Sequence, residues 1–287
     1  MSDFDQIQRF MFDNSQIRGE LAHLKDTYQT IIKQHAYPKP VQRLLGEWIT
    51  AAVMLSSSIK FDGTLTLQAR GTGNIKVLMA ECRHNQDVRA WADWDGDIEE
   101  GASLPELLGS GQLAITIDPD SGKSYQGVVP LDGDTLAECL EHYFAQSEQL
   151  QTRIWLQADD EQTAGLLLQE LPGEEKDPDI WDRISHLAST ITKEEMLQLD
   201  HLTQLTRLFH EEEVRIFDPL SVEFKCTCSR ERSGNAIRSV GQEEAEDILK
   251  DKGKISMDCQ FCSAHYDFNA VEVAELFIPG GSSKTVH

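Results

Sequence analysis

Cys226 and Cys228 form a C-x-C pair, Cys259 and Cys262 form a C-x-x-C pair, and thirty residues separate the two. No other feature constrains the fold as tightly. Each short pair is held together by its own backbone, so the chain has only to bring two pairs into register to present four soft donors to one ion. A tetrahedral zinc site with Cys226, Cys228, Cys259 and Cys262 as ligands is therefore expected. Oxidising the thiols would remove the donors and with them the metal.

The alternative use of paired cysteines, a permanent disulfide framework, belongs to oxidising compartments. The opening residues, MSDFDQIQRFMFDNSQIRGE, carry acids where an export signal needs basic residues, and they lack a continuous apolar core. The most apolar run, WITAAVMLSSSIKF, breaks into serines well short of a bilayer span. A cytoplasmic protein is expected, with its thiols kept reduced. The formal charge of -23, from 49 acidic and 26 basic residues, repels phosphate backbones and anionic lipid. Neither nucleic acid nor a membrane is an expected partner.

The hydrophobic pattern predicts an α+β fold. Residues Gln29 to Ile59 read as mostly helical, punctuated by Pro38 and Pro40, with Val41, Leu44, Leu45, Trp48, Ile49, Ala52, Val53 and Leu55 on a buried face. Alternation of Leu65, Leu67 and Ala69, a turn at Gly71 and Gly73, and renewed alternation at Ile75, Val77 and Met79 predict a β-hairpin. A second hairpin is expected around Asp118 to Gly122, then a helix from Asp134 to Gln149 and strands in TRIWLQA and TAGLLLQEL. These elements make an N-terminal domain, residues 1–173, with a mainly antiparallel sheet.

Composition changes next. Between Glu174 and Asp218 there are twelve acidic and five basic residues, yet Thr192 and Glu195 form a capping box and Met196, Leu199, Leu202, Leu205, Leu208 and Phe209 follow at helical spacing. Ile180, Trp181, Ile184 and Leu187 make a smaller apolar face. Residues 174–224 are expected to form an amphipathic helical linker, only weakly packed. Residues 225–287 are expected to form a small C-terminal zinc domain that includes the tail PGGSSKTVH. A charged unit of this size has little core, whereas structural zinc supplies roughly 10–16 kcal/mol in small peptide sites, so the unit is expected to unfold without metal.

His265 is a candidate substitute ligand, but four thiolates close a tetrahedron and leave it a surface or supporting role. Lys225, Arg230 and Arg232 flank the first pair, where they either favour thiolate or are ordinary surface charge. Cys82 and Cys139 fall on apolar patterns and read as core thiols. RGTGNIK and GKS lack phosphate-loop spacing and fall in hairpin turns; HEEEV at His210 lacks a second metal-binding histidine. Asp93, Asp95 and Asp97 lack the distal glutamate of a calcium loop, so a turn is expected.

FKCTCSRER at Phe224 to Arg232 and MDCQFCSAHYDFNAVEVAEL at Met257 to Leu276 resemble the heat-shock protein 33 family, as do TIDPDSGKSYQGVVPLDGDTLAECLEHYFAQSEQ at Thr116 to Gln149 and GLLLQELPG at Gly165 to Gly173. The resemblance covers nearly the whole chain. It implies a redox-regulated, ATP-independent holdase of the bacterial cytosol, in which the four cysteines bind one zinc ion when reduced. It further implies that oxidation pairs Cys226 with Cys228 and Cys259 with Cys262, releases zinc, unfolds the terminal unit and the linker, and exposes apolar surface that captures unfolding client proteins. Oxidised members associate as homodimers. Ser233 stands where the family commonly carries a further cysteine, and four ligands remain.

Two rivals remain open. A thiol-disulfide oxidoreductase would place C-x-x-C at a helix start after a strand. A zinc-ribbon module for nucleic acid would need a basic face, whereas the chain from Cys226 carries ten acids against seven bases.

Overall fold

The computed structural model describes residues 4–13, 15–59, 62–173 and 177–278. The start of the expected linker at Glu174 and the glycine-serine tail at 279–287 lie outside the described residues. The chain divides into two compact units, Met1–Lys225 and Cys226–His287.

In chain order the first unit holds β1 (Gln6–Phe12), β2 (Ile17–Leu24), α1 (Asp26–Ile32), α2 (Lys39–Ser58), β3 (Gly63–Gly71), β4 (Ile75–Arg83), β5 (Asp87–Trp94), α3 (Leu104–Leu108), β6 (Gly111–Pro119), β7 (Tyr125–Pro130), α4 (Leu136–Tyr143), β8 (Thr152–Ala158) and β9 (Thr163–Glu170). It continues through α5 (Ile180–Ala188), α6 (Lys193–Gln198), α7 (His201–Phe209), β10 (Val214–Ile216), β11 (Leu220–Ser221) and β12 (Glu223–Phe224). The second unit contains α8 (Arg230–Val240), α9 (Gln242–Lys252), β13 (Ile255–Asp258), β14 (His265–Phe268) and α10 (Ala270–Leu276).

One sheet runs β10-β1-β2-β9-β8, with β11 also pairing β1; the other runs β12-β5-β4-β3-β6-β7. Pairing in these sheets is antiparallel except between β12 and β5. Helix α2 packs against strands of both sheets and is the spine of the larger core. Trp48 is fully buried there and donates its indole N–H to the Leu67 carbonyl at 3.0 Å, because a buried polar edge must find a partner. Close approach of the helix to β9 depends on Gly165: a Cβ at that position would meet the Thr50 and Met54 side chains at 2.8 Å.

Both predicted hairpins form, as β3–β4 and β6–β7. The helix expected from Asp134 begins at α4 and continues as a π-helical turn, Phe144–Glu148. Asp93 lies inside strand β5 rather than in a turn, while Asp95 and Asp97 follow it. Strands β1 and β2 have no counterpart among the sequence-based expectations.

Residues 177–224 differ from the expected weakly packed helical linker in two ways. Leu199 leaves helical geometry and the Asp200 side chain accepts a hydrogen bond from the Thr203 amide at 2.8 Å, so the run splits into α6 and α7 and Leu202 turns outward, 61% exposed. Ile180, Ile184, Ala188, Met196, Leu197, Leu205, Leu208 and Phe209 are buried with Phe10, Phe12, Ile17, Leu21, Leu166 and Leu168 of the first sheet. The acids occupy the other faces, which is why composition understates the packing. After Phe209 the chain is not helical: β10 and β11 add to β1, and β12 adds to β5.

Candidate metal centre

The second unit has a core of Ile237, Ala245, Ile255, Phe268 and Val273, with Leu249, Met257, Tyr266 and Leu276 partly buried against it. Helix α8 starts where Ser229 accepts a hydrogen bond from the Arg232 amide at 3.2 Å, and Cys226 and Cys228 lie on the extended segment just before this cap. Cys259 and Cys262 occupy the turn of the antiparallel β13–β14 hairpin. That turn is closed by hydrogen bonds from the Cys259 amide to the Ala264 carbonyl (2.9 Å) and from the Ser263 amide to the Cys259 carbonyl (2.8 Å), with Ser263 at φ 55°. The C-x-x-C pair is thus presented by a tight turn, and the C-x-C pair by the irregular segment that leads into the α8 cap.

The four sulfurs lie within 4.8 Å of one another. Cys226 Sγ is 3.6 Å from Cys259 Sγ, and Cys228 Sγ is 3.3 Å from Cys262 Sγ. Sulfurs ~2.3 Å from a central zinc ion span tetrahedral edges of ~3.8 Å, so the cluster has the dimensions of a four-thiolate zinc site. Its electrostatics agree. Burial opposes ionisation of Cys226, but hydrogen bonds from the Cys228 amide and the neighbouring thiols outweigh it and lower its pKa to about 7. Burial and the neighbouring sulfurs push Cys259 and Cys262 upward. Four sulfurs this close cannot all carry negative charge unless a cation sits among them. The donor set fits zinc.

His265 stands outside this group. Its Nδ1 is 2.6 Å from Asp258 Oδ1 and its Nε2 3.0 Å from Asp267 Oδ1, so both ring nitrogens are engaged by carboxylates, which raise its pKa. The flanking cations have other partners as well. Lys225 pairs with Asp87 at 3.1 Å, Arg230 with Glu272 at 2.6 Å, and Arg232 donates to Thr227 Oγ1 at 2.6 Å. Hydrogen bonds, rather than these charges, lower Cys226. Cys82 and Cys139 are fully buried in the first core. RGTGNIK and GKS sit at hairpin turns, and His210 follows α7 with an exposed side chain.

Sequence reasoning missed Tyr266, whose hydroxyl lies 3.2 Å from Cys228 Sγ. The signal was the period-two pattern of HYDF, which puts Tyr266 on the same face as buried Phe268.

The model of the family described as Hsp33 protein matches residues 5–269. The 33 kDa chaperonin of Azotobacter vinelandii is 50% identical, with 98% of this chain and 97% of the relative aligned. That of Pseudomonas aeruginosa is 48% identical over the full length of both. The crystal structure of the 33 kDa chaperonin from Thermotoga maritima superposes with a TM-score of 0.83 at 22% identity, covering 95% of this chain and 97% of that one, a likeness of fold.

Proposed function

The chain belongs to the Hsp33 family, and from that premise we propose that it is a redox-regulated, ATP-independent holdase chaperone of the cytoplasm, inactive while reduced. The supporting observation is the four-sulfur cluster on a unit whose buried apolar core is five residues among those described. Cys226, Cys228, Cys259 and Cys262 hold the metal in this reading. A bound zinc ion would neutralise the thiolates and tie the segment before α8 to the β13–β14 turn.

Peroxide takes two electrons from each pair, Cys226 with Cys228 and Cys259 with Cys262. One S–S bond forms per pair, and each peroxide, taking two protons from solvent, leaves as two waters. Disulfides are poor metal ligands, so all four donors are lost together. The second unit then lacks its largest stabilising contribution. Residues 174–224 loosen next: their apolar faces, carried by Ile180, Ile184, Leu205 and Phe209, are released from the first sheet and capture unfolding clients. The exposed surface also supports homodimers of the oxidised form. The functional division is thus 1–173, 174–224 and 225–287.

The test is suppression of aggregation of a heat-denatured client, alongside zinc release and thiol counting. Reduced protein is expected to be inactive; peroxide with mild heat is expected to release one zinc per chain, consume four thiols and produce activity without ATP. Equal activity of the reduced zinc form would overturn the proposal. Insulin reduction under the same conditions is expected to stay at background, since Cys259 and Cys262 lie in a hairpin turn rather than at a helix start.

A further inference from the structure

A cavity of about 340 Å³ opens in the first unit where the N-terminal half of α2 faces α3 and the start of α4. Pro40, Arg43, Leu44 and Glu47 reach it from α2, three to four residues apart and so on one helix face. Leu104 and Leu107 come from α3 and Leu136 from α4, each buried. All of its wall lies within the described residues, and the volume is that of a small-molecule site.

Glu47 is the unsatisfied group on this wall. Its side chain is half-buried, its oxygens remain open to solvent, and it makes no hydrogen bond or ion pair among the described residues. Burial nonetheless pushes its pKa up to about 7, against the charge of Lys193. A carboxyl that is surrounded by protein yet reachable by water sits in a recess rather than on an open surface. The cations nearby are engaged elsewhere. Lys193 donates to the Ala158 carbonyl at 2.7 Å, and Arg43 gives its Nε to Asp160 at 3.1 Å and an Nη to Glu100 at 3.0 Å.

The amides at the rim are also taken. The Ser103 and Asp134 amides donate to Glu106 and Glu138, each at 2.7 Å, and the Glu138 amide donates to Thr135 Oγ1 at 3.2 Å. The cavity therefore presents an acceptor above an apolar wall, with the exposed Asp134 as a second acid at its edge. A carboxylate accepts hydrogen bonds and an ammonium only donates them, so a primary ammonium satisfies charge and hydrogen bonding together. A quaternary ammonium has no N–H to give, and no aromatic ring lines the cavity to hold it by its charge.

We propose that this cavity binds a small amphiphilic organic cation, its primary ammonium on Glu47 and its apolar tail against Leu44, Leu104 and Leu136. The site lies apart from the four cysteines and does not depend on the chaperone reading.

Hexylammonium is the probe, titrated by calorimetry into the full reduced chain at about pH 8, where a carboxyl titrating near 7 is ionised. Saturable binding with Kd below about 1 mM is expected, at least about tenfold weaker for hexanol, for hexyltrimethylammonium and for Glu47→Gln. Methyl resonances of Leu44, Leu104, Leu107 and Leu136 should shift on binding. Glu243→Gln removes an equal charge from exposed α9 and should leave the affinity unaltered. The thermal transition of Glu47→Gln is recorded to establish that it folds, and the hexanol comparison stands on unaltered protein. No saturation by about 10 mM, equal affinity for hexanol, or equal losses in Glu47→Gln and Glu243→Gln overturns the site; equal affinity for hexyltrimethylammonium overturns the choice of a primary ammonium.

Discussion

In the first unit Trp48, Tyr28, Ile49 and Leu45 are buried within a core that spans both sheets and α2. In the second the buried set is Ile237, Ala245, Ile255, Phe268 and Val273, a single aromatic ring among five residues. The difference is one of energy source. Removing water from many apolar groups at ~25 cal/mol per Å² supports the first unit, whereas in the proposed reading the second makes up for its small core through a metal ion held by four sulfurs that lie within 4.8 Å of one another. Apolar burial cannot be switched off by a chemical signal; sulfur coordination can. Residues 177–224 draw on the first kind of cohesion, through Phe209 and its neighbours, yet precede the second kind in sequence.

The sharpest break of this contrast is Cys262→Ser. One lost ligand should unfold residues 226–276 outright, seen as loss of their dispersed NMR resonances, while resonances of α2 and β3 stay unchanged. If both units lose structure together, their stabilities are not separately sourced. Next comes Phe209→Ala. Its ring meets Phe12 edge-on at 4.9 Å and is 2% exposed, so a loss of about 3–5 kcal/mol is expected in urea unfolding of the reduced protein. Zinc affinity should be unaltered, and protease sensitivity of 177–217 should increase.

The pH dependence of the first unit should reveal Glu20. Burial raises its pKa to about 7, against the Ser57 hydrogen bond and the charges of Arg18 and Arg9. The folded state therefore holds a proton that the unfolded chain gives up near 4.5, and the associated stability is fully present below that pH and lost as pH rises through 7. Glu20→Gln should flatten the profile in that window and gain about 3 kcal/mol at pH 8; an unchanged profile would place the titration elsewhere. The smallest effect is Ile255→Val, 7% exposed in the second core. A cost of about 0.5–1.5 kcal/mol should appear as a several-fold weaker zinc affinity, because metal binding and folding of that unit are one equilibrium.

What could be read from sequence follows the same divide between local and long-range causes. The four cysteines, α2 and the β3–β4 and β6–β7 hairpins announce themselves through spacing and period. Strand β2 does not, since its last six residues are all buried and alternation vanishes. Strands β10, β11 and β12 are two or three residues long and exist only through their pairing with β1 and β5. Leu202 fitted the apolar spacing but faces solvent because Asp200 starts a new helix. At the site, the gathering of the four cysteines was local information, whereas the engagement of His265 by Asp258 and Asp267 and the approach of Tyr266 to Cys228 required the hairpin.

The central claim about the molecule is that coordination by these sulfurs holds the second unit together. Hydrogen exchange followed by mass spectrometry, on reduced chain with zinc and on the same reduced chain after chelation, measures this directly. Chelation should abolish protection across α8, α9, β13, β14 and α10 while α2, β3 and β4 keep theirs. Protection of residues 226–276 that survives verified zinc removal would contradict it.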